Sequence, residues 1–153
     1  MKSQIVSRQI LEFRSDAGTI YLQGTEEGLA WLAQKCFVLI DAGTRNHLHL
    51  DDYFVLTSHS KAAVLEFLPR DCSKVESVIN KFTKFVRPDF SENQLEFREN
   101  PKSIYIYGTA KGLRWLAQKC LVLVDAGKKD HLHLQDYQVL TKASKPAALA
   151  QFP

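Results

Sequence analysis

The sequence predicts an α+β chain made of two β-β-α-β-β repeats fused as a pseudo-two-fold dimer, with an antiparallel sheet carrying helices on one face and a connector helix between the copies. Three observations lead there. Leu11 to Pro69 aligns with Leu95 to Pro153 at a constant offset of 84 without a gap, and 35 of the 59 positions are identical. Apolar residues in each copy alternate with a period of two, then recur at helical spacing, then alternate again. Residues 70–92 have no counterpart ahead of the first copy, so they join the units rather than belong to one. The offset is too long and the copy number too low for a solenoid, which leaves two equivalent units related as in a C2 dimer.

The elements follow in order. Leu11 to Arg14 and Thr19 to Gln23 alternate around Asp16-Ala17-Gly18, a hairpin signature that the second copy replaces with Asn100-Pro101-Lys102. Thr25 is a suitable N-cap, Glu26 and Glu27 suit a helix N-terminus, and Asp41-Ala42-Gly43 supplies a glycine stop. A helix is therefore expected from Glu26 to Ala42. His47 to Leu50 alternates as a short strand, and Ala63 to Phe67 reads as another. In the connector, Ser73-Lys74-Val75-Glu76 has capping-box spacing, and Val75, Val78, Ile79, Phe82, Phe85 and Val86 fall near helical spacing until Arg87-Pro88-Asp89. The domain limits that result are 1–69, 70–92 and 93–153.

Composition narrows the function classes. A chain of 153 residues with 45% hydrophobic and 24% charged residues is ordinary for a globular protein. Its net charge of +3, from 20 basic and 17 acidic residues well mixed, lacks the concentrated positive charge of a nucleic-acid binder. Met1 to Arg8 has no signal-peptide core and no segment reaches membrane-span length, so a cytoplasmic protein without a membrane partner is expected. Cys36, Cys72 and Cys120 form neither a disulfide framework nor a zinc motif and read as buried free thiols.

Two doubled surfaces are candidates for function. At ~100° per residue, Leu29, Leu32, Ala33, Cys36, Phe37 and Ile40 make the stripe that covers the sheet, while Trp31 and Val38 face the other way, as do Trp115 and Val122. Those tryptophans either pack internally, on each other or under the connector helix, or contact a partner, since tryptophan and arginine are frequent at interface hot spots. If Leu11, Phe13, Ile20, Leu22, Leu48 and Leu50 point inward, the period of two sends Glu12, Arg14, Tyr21, His47 and His49 to the other sheet face. Glu96, Arg98, Tyr105, Tyr107, His131 and His133 are the second copy's equivalents. That face is either solvated with cross-strand pairs or a recognition surface.

The histidine pairs His47/His49 and His131/His133 each point one way and are weak metal candidates, with Asp51, Asp52, Gln135 and Asp136 next in sequence. A metal site needs three or four convergent ligands, so no cofactor is expected. The chain carries no G-x-S-x-G elbow, H-E-x-x-H, P-loop or dinucleotide fingerprint. A non-catalytic binding protein is therefore expected, against the alternatives of a metal-binding or acid–base enzyme centred on the H-x-H strands, or a structural self-associating module.

Gly24-Thr25-Glu26-Glu27-Gly28-Leu29-Ala30-Trp31-Leu32-Ala33, then Asp41-Ala42-Gly43, then His47-Leu48-His49-Leu50-Asp51-Asp52-Tyr53 and Leu56-Thr57 carry a resemblance. The pattern resembles the immunity protein 32 family, small bacterial proteins of polymorphic toxin systems. Both repeats share it, about three quarters of the chain, whereas the family's usual unit is single-copy. The resemblance implies stoichiometric binding and neutralisation of a cognate toxin with no chemistry of the chain's own. The expected partner is thus a protein, met by a chain that is a monomer or weak dimer. The candidate contact residues are Arg14, Tyr21, Trp31, His47, His49, Arg98, Tyr105, Tyr107, Trp115, His131 and His133.

Overall fold

A computed structural model describes residues 10–68, 95–126 and 131–152. Each copy forms the expected elements: β1 (Leu11–Asp16), β2 (Thr19–Gly24), α1 (Glu26–Ala42), β3 (Asn46–His49) and β4 (Ala62–Phe67), then β5 (Leu95–Glu99), β6 (Ser103–Gly108), α2 (Ala110–Ala126), β7 (His131–His133) and β8 (Ala147–Gln151). A 3-10 turn follows each histidine strand, at Leu50–Tyr53 and Leu134–Tyr137. The connector helix and Cys72 lie outside the described residues.

Local chemistry accounts for the boundaries. Asp16 pairs with Thr19 across Ala17 (φ 52°) and Gly18 (φ 85°), a two-residue hairpin turn with both central residues in the left-handed region. Pro101 cannot adopt positive φ, so the second copy turns differently: the Asn100 side-chain oxygen accepts from the Lys102 and Ser103 amides at 2.9 and 2.8 Å. Thr25 Oγ1 accepts from Gly28 N at 3.0 Å, and Thr109 Oγ1 from Gly112 N at 3.1 Å, so both helices start on a threonine cap. Gly43, in the left-handed conformation at φ 76°, closes α1 by donating to Ile40 O at 3.0 Å. Gly28 has a second duty: a Cβ there would lie 2.2 Å from Ile10 O, so the approach of the chain entering β1 requires glycine.

The strands assemble by exchange between the copies. One sheet has the order β1-β2-β8-β7 and the other β3-β4-β6-β5, so each takes its first hairpin from one copy and its second from the other. The wholly antiparallel sheet expected from sequence is corrected at the centre: β2 pairs with β8, and β4 with β6, in parallel. A copy that ran β2, helix, then β3 and β4 would place its own β4 parallel to its own β2. Here the equivalent strand of the other copy occupies that position, which is domain swapping within one chain. The near-continuous burial of β4 and β8 fits central strands of parallel pairs.

The outer edges of β1 and β5 are covered by each copy's own loop. Leu11 N donates to Val55 O at 2.7 Å, Thr57 N to Leu11 O at 3.0 Å and Lys61 N to Phe13 O at 2.9 Å. Val139, Thr141 and Lys145 repeat the arrangement on Leu95 and Phe97. Only the short β3 and β7 end a sheet without such a strap among the described residues, and short edges limit unwanted strand pairing.

The inner sheet faces and both helices share one core, with Leu11, Phe13, Ile20, Leu22 and Leu50 buried as expected and Leu48 packed against its rim. Leu29, Leu32, Ala33 and Cys36 are buried on α1 together with Leu39, while Phe37 and Ile40 only border the core. The helices pack on each other through this stripe, where small residues (Ala33, Cys36, Ala117 and Cys120) allow close approach. The tryptophan faces do not pack on each other, since Trp31 lies about 140° around α1 from Cys36; the other internal alternative, a cover from the connector helix, lies outside the described residues. At the ends of β1 and β5, Glu99 Oε1 accepts from Lys61 Nζ at 2.9 Å, and Lys145 Nζ lies 3.8 Å from its other oxygen.

Candidate functional site

Strand exchange reorganises the outer sheet faces. On the first sheet, Glu12, Gln23, Ala150 and His131 stand in one cross-strand row, and Arg14, Tyr21, Ala148 and His133 in the next. On the second, the rows are Glu96, Tyr107, Glu66 and His47, then Arg98, Tyr105, Val64 and His49. Arg14 and Tyr21 therefore do not share a face with His47 and His49 of their own copy. They stand with His131 and His133, while His47 and His49 stand with Arg98, Tyr105 and Tyr107.

Both faces satisfy most of their polar groups internally. Arg14 lies over the Tyr21 ring at 5.4 Å, donates to Gln23 at 3.1 Å and pairs with Glu12 at 3.1 Å. Glu12 also accepts from the Thr57 hydroxyl at 2.9 Å. Glu96, fully buried, is paired with Arg98 and accepts from the Thr141 hydroxyl. Glu66 is held by Arg45 at 2.6 Å. Tyr105 and Tyr107 stack with ring centroids 6.2 Å apart, and burial, helped by the Glu66 carboxylate, pushes the Tyr107 phenol up to about 12. Of these contacts only those of Arg14 with Tyr21 and Gln23 cross between strands, whereas the Glu12–Arg14, Glu96–Arg98 and Tyr105–Tyr107 pairs each lie along one strand.

The histidine pairs sit exposed on the strands at one end of each sheet, with rings 4.9 Å apart in each pair. Among the described residues no group of three His, Cys, Asp or Glu side chains converges to hold a metal ion. Burial pushes the Cys36 thiol well above its ordinary value, with Cys120 adding to the effect, and burial alone pushes Cys120 up to about 12. Both therefore stay protonated and poorly nucleophilic near neutral pH. A shallow cleft of about 330 Å³ beside the second 3-10 turn is lined by Gln135, Gln138, Leu140, Thr141, Ser144 and Pro146, without an ionisable side chain.

The tryptophans have a different setting. Trp31 meets Tyr53 edge-on with centroids 5.3 Å apart, and Lys35 Nζ lies 5.3 Å from the Trp31 ring and 5.2 Å from the Tyr53 ring. Trp115, Tyr137 and Lys119 repeat this at 5.4, 5.5 and 5.1 Å. Each cluster joins the outward stripe of a helix to its own copy's 3-10 turn. Val38 and Val122, seven residues beyond each tryptophan, are about half exposed. Phe54, the residue after the first turn, is 95% exposed and has φ 60°.

Sequence reasoning named Trp31 and Trp115 but missed Tyr53, Phe54 and Tyr137, because a 3-10 turn follows neither the helical nor the strand period. A signal was present: Tyr53 and Tyr137 occupy the same place in both copies, three residues after the buried leucine that follows each histidine strand.

The described residues thus form a duplicated, strand-exchanged α+β fold whose exposed large hydrophobic side chains are Tyr53, Phe54 and Tyr137 of the 3-10 turns and Val38, Leu121 and Val122 of the helices. The family comparison is specific: the immunity protein 32 model matches residues 19–68 and 103–151. The chain belongs to that family, in tandem duplicate. Immunity protein families are generally non-catalytic and in general imply a protein partner. No curated protein and no solved structure matches the chain. No helix among the described residues is long and apolar enough to cross a membrane.

Proposed function

We propose that this protein is an immunity protein that binds a cognate bacterial toxin in the cytoplasm and blocks it by occupying its surface, with no chemistry of its own. The observation that carries this reading is the pair of Trp/Tyr/Lys clusters on the outward helix stripes. A half-buried tryptophan, an exposed tyrosine and an amphipathic lysine together offer rigid apolar area with a charged tip, the composition typical of interface hot spots. The sheet faces support a contact less well, because their arginines and glutamates already have partners.

The test is co-expression with the toxin encoded beside this chain, followed by mixing of the purified proteins. Restored growth and a stable complex are expected. If the toxin still kills and no complex forms on a sizing column, the reading falls.

A further inference from the structure

The two aromatic clusters share a centre but not a frame. The position one turn before Trp31 holds exposed Glu27, and the 3-10 turn that carries Tyr53 holds exposed Asp51 and Asp52, set against the half-buried Lys35. The equivalent positions around Trp115 and Tyr137 hold Lys111, Gln135 and Asp136, set against Lys119, and Arg114 replaces Ala30 beside the tryptophan. Three carboxylates face one ammonium in the first copy, and three cations face one carboxylate in the second. Lys35 is itself turned over two aromatic rings, which leaves the acidic groups as the outer rim.

The apolar content differs in the same direction. Phe54 stands 95% exposed, and its equivalent is Gln138. Both residues have φ 60° and ψ 31° and follow the same 3-10 turn, so the backbone presents either side chain alike. An exposed phenylalanine gains from leaving water only when another molecule covers it.

We infer that the toxin contact is made by the first copy alone: Phe54 enters an apolar socket, Trp31, Tyr53 and Val38 pack around it, and Glu27, Asp51 and Asp52 face lysines and arginines rimming that socket. The inference rests on the immunity reading and adds the partner's surface chemistry and the stoichiometry. Opposite charges around the socket steer encounter, and the aromatic centre supplies the residence time. The second copy, with glutamine for phenylalanine and a cationic frame, is repelled by the same basic surface, so one toxin binds per chain.

Binding of the purified toxin domain encoded beside this chain is measured for the wild type, Phe54→Gln, Gln138→Phe and Asp52→Lys by calorimetry at low and moderate salt. Gln138 shows that glutamine tolerates the backbone conformation, so Phe54→Gln keeps the fold. Expected results are one toxin per chain, at least 30-fold weaker binding for Phe54→Gln, unchanged binding for Gln138→Phe, and for Asp52→Lys a loss of about tenfold that shrinks as salt rises. If the wild type binds and Phe54→Gln binds equally well, or if two toxins bind per chain, the inference is overturned while the immunity reading stands. If the wild type does not bind, both fall.

Discussion

Phe54 and Gln138 hold one backbone conformation, φ 60° and ψ 31°, at equivalent positions of the two copies, although one side chain is aromatic and the other polar. Left-handed conformation in a residue with a side chain costs roughly 1–2 kcal/mol. Retaining it twice shows that the turn geometry, and not the side chain, sets the backbone. Replacing Phe54 by Gln removes no buried contact, so the stability change should stay within about 0.5 kcal/mol. Urea denaturation checks this, and it separates a binding defect in that variant from a folding defect.

The β1–β2 hairpin carries an avoidable cost. Ala17 sits at φ 52° in a turn where asparagine before glycine is the favoured pair. Ala17→Asn should stabilise the protein by roughly 0.5–1 kcal/mol, raising the melting temperature by about 2 °C for a chain of this size. The corresponding Pro101→Asn in the second copy should give no such gain, because that turn is organised by the Asn100 side chain. A thermal melt of both variants distinguishes the two turns.

Glu99 meets both strap lysines, Lys61 and Lys145, and its equivalent in the first copy is Ser15. The hydrogen bond from Lys61, then that from the Ser15 hydroxyl, holds its carboxyl below the usual carboxylate range. A carboxylate lowered on folding contributes stability that is present above its unfolded value of about 4.3 and is lost as pH falls through its folded value. Glu99→Gln should therefore lower stability at pH 7 by about 0.5–1 kcal/mol, as for a partly screened ion pair. The gap between variant and wild type should close as the pH is taken below 4. A gap that persists unchanged in acid would mean the contribution is not electrostatic.

What could be read in the sequence was local. The hairpin at Asp16-Ala17-Gly18, the Thr25 and Gly43 caps and the inward set Leu11, Phe13, Ile20 and Leu22 all depend on residues within a few positions of one another. Strand partnership does not. Leu48 and Leu132 present the same inward residue from β3 and β7, and Leu65 and Leu149 do so from β4 and β8, so either copy's strands satisfy either sheet. Identity between the copies makes the choice invisible to patterning, which also hid the regrouping of Arg14 and Tyr21 with His131 and His133. Burial of β4 on both faces was the available cue, because Ala62 to Phe67 is almost wholly apolar and suits a central parallel strand.

The exchange makes a physical demand on each half. A chain ending in the connector after Leu68 retains β1, β2, α1, β3 and β4, but β2 then has no β8 and β4 no β6. The inner face of α1, including Cys36, also loses α2. Leu29, Leu32, Leu39, Leu65 and Phe67 would be uncovered, and exposing that much apolar surface exceeds the stability of a domain this small. Two outcomes can relieve it: a half takes up a second copy of itself by the same exchange, or it stays unfolded. Expressed separately, residues 1–80 and 81–153 should therefore show no folded monomer by sedimentation. Expressed together, they should associate as a one-to-one complex with the circular dichroism of the intact chain. A cooperatively folding monomeric half would show that the strands can close within a copy and that the exchange is not required.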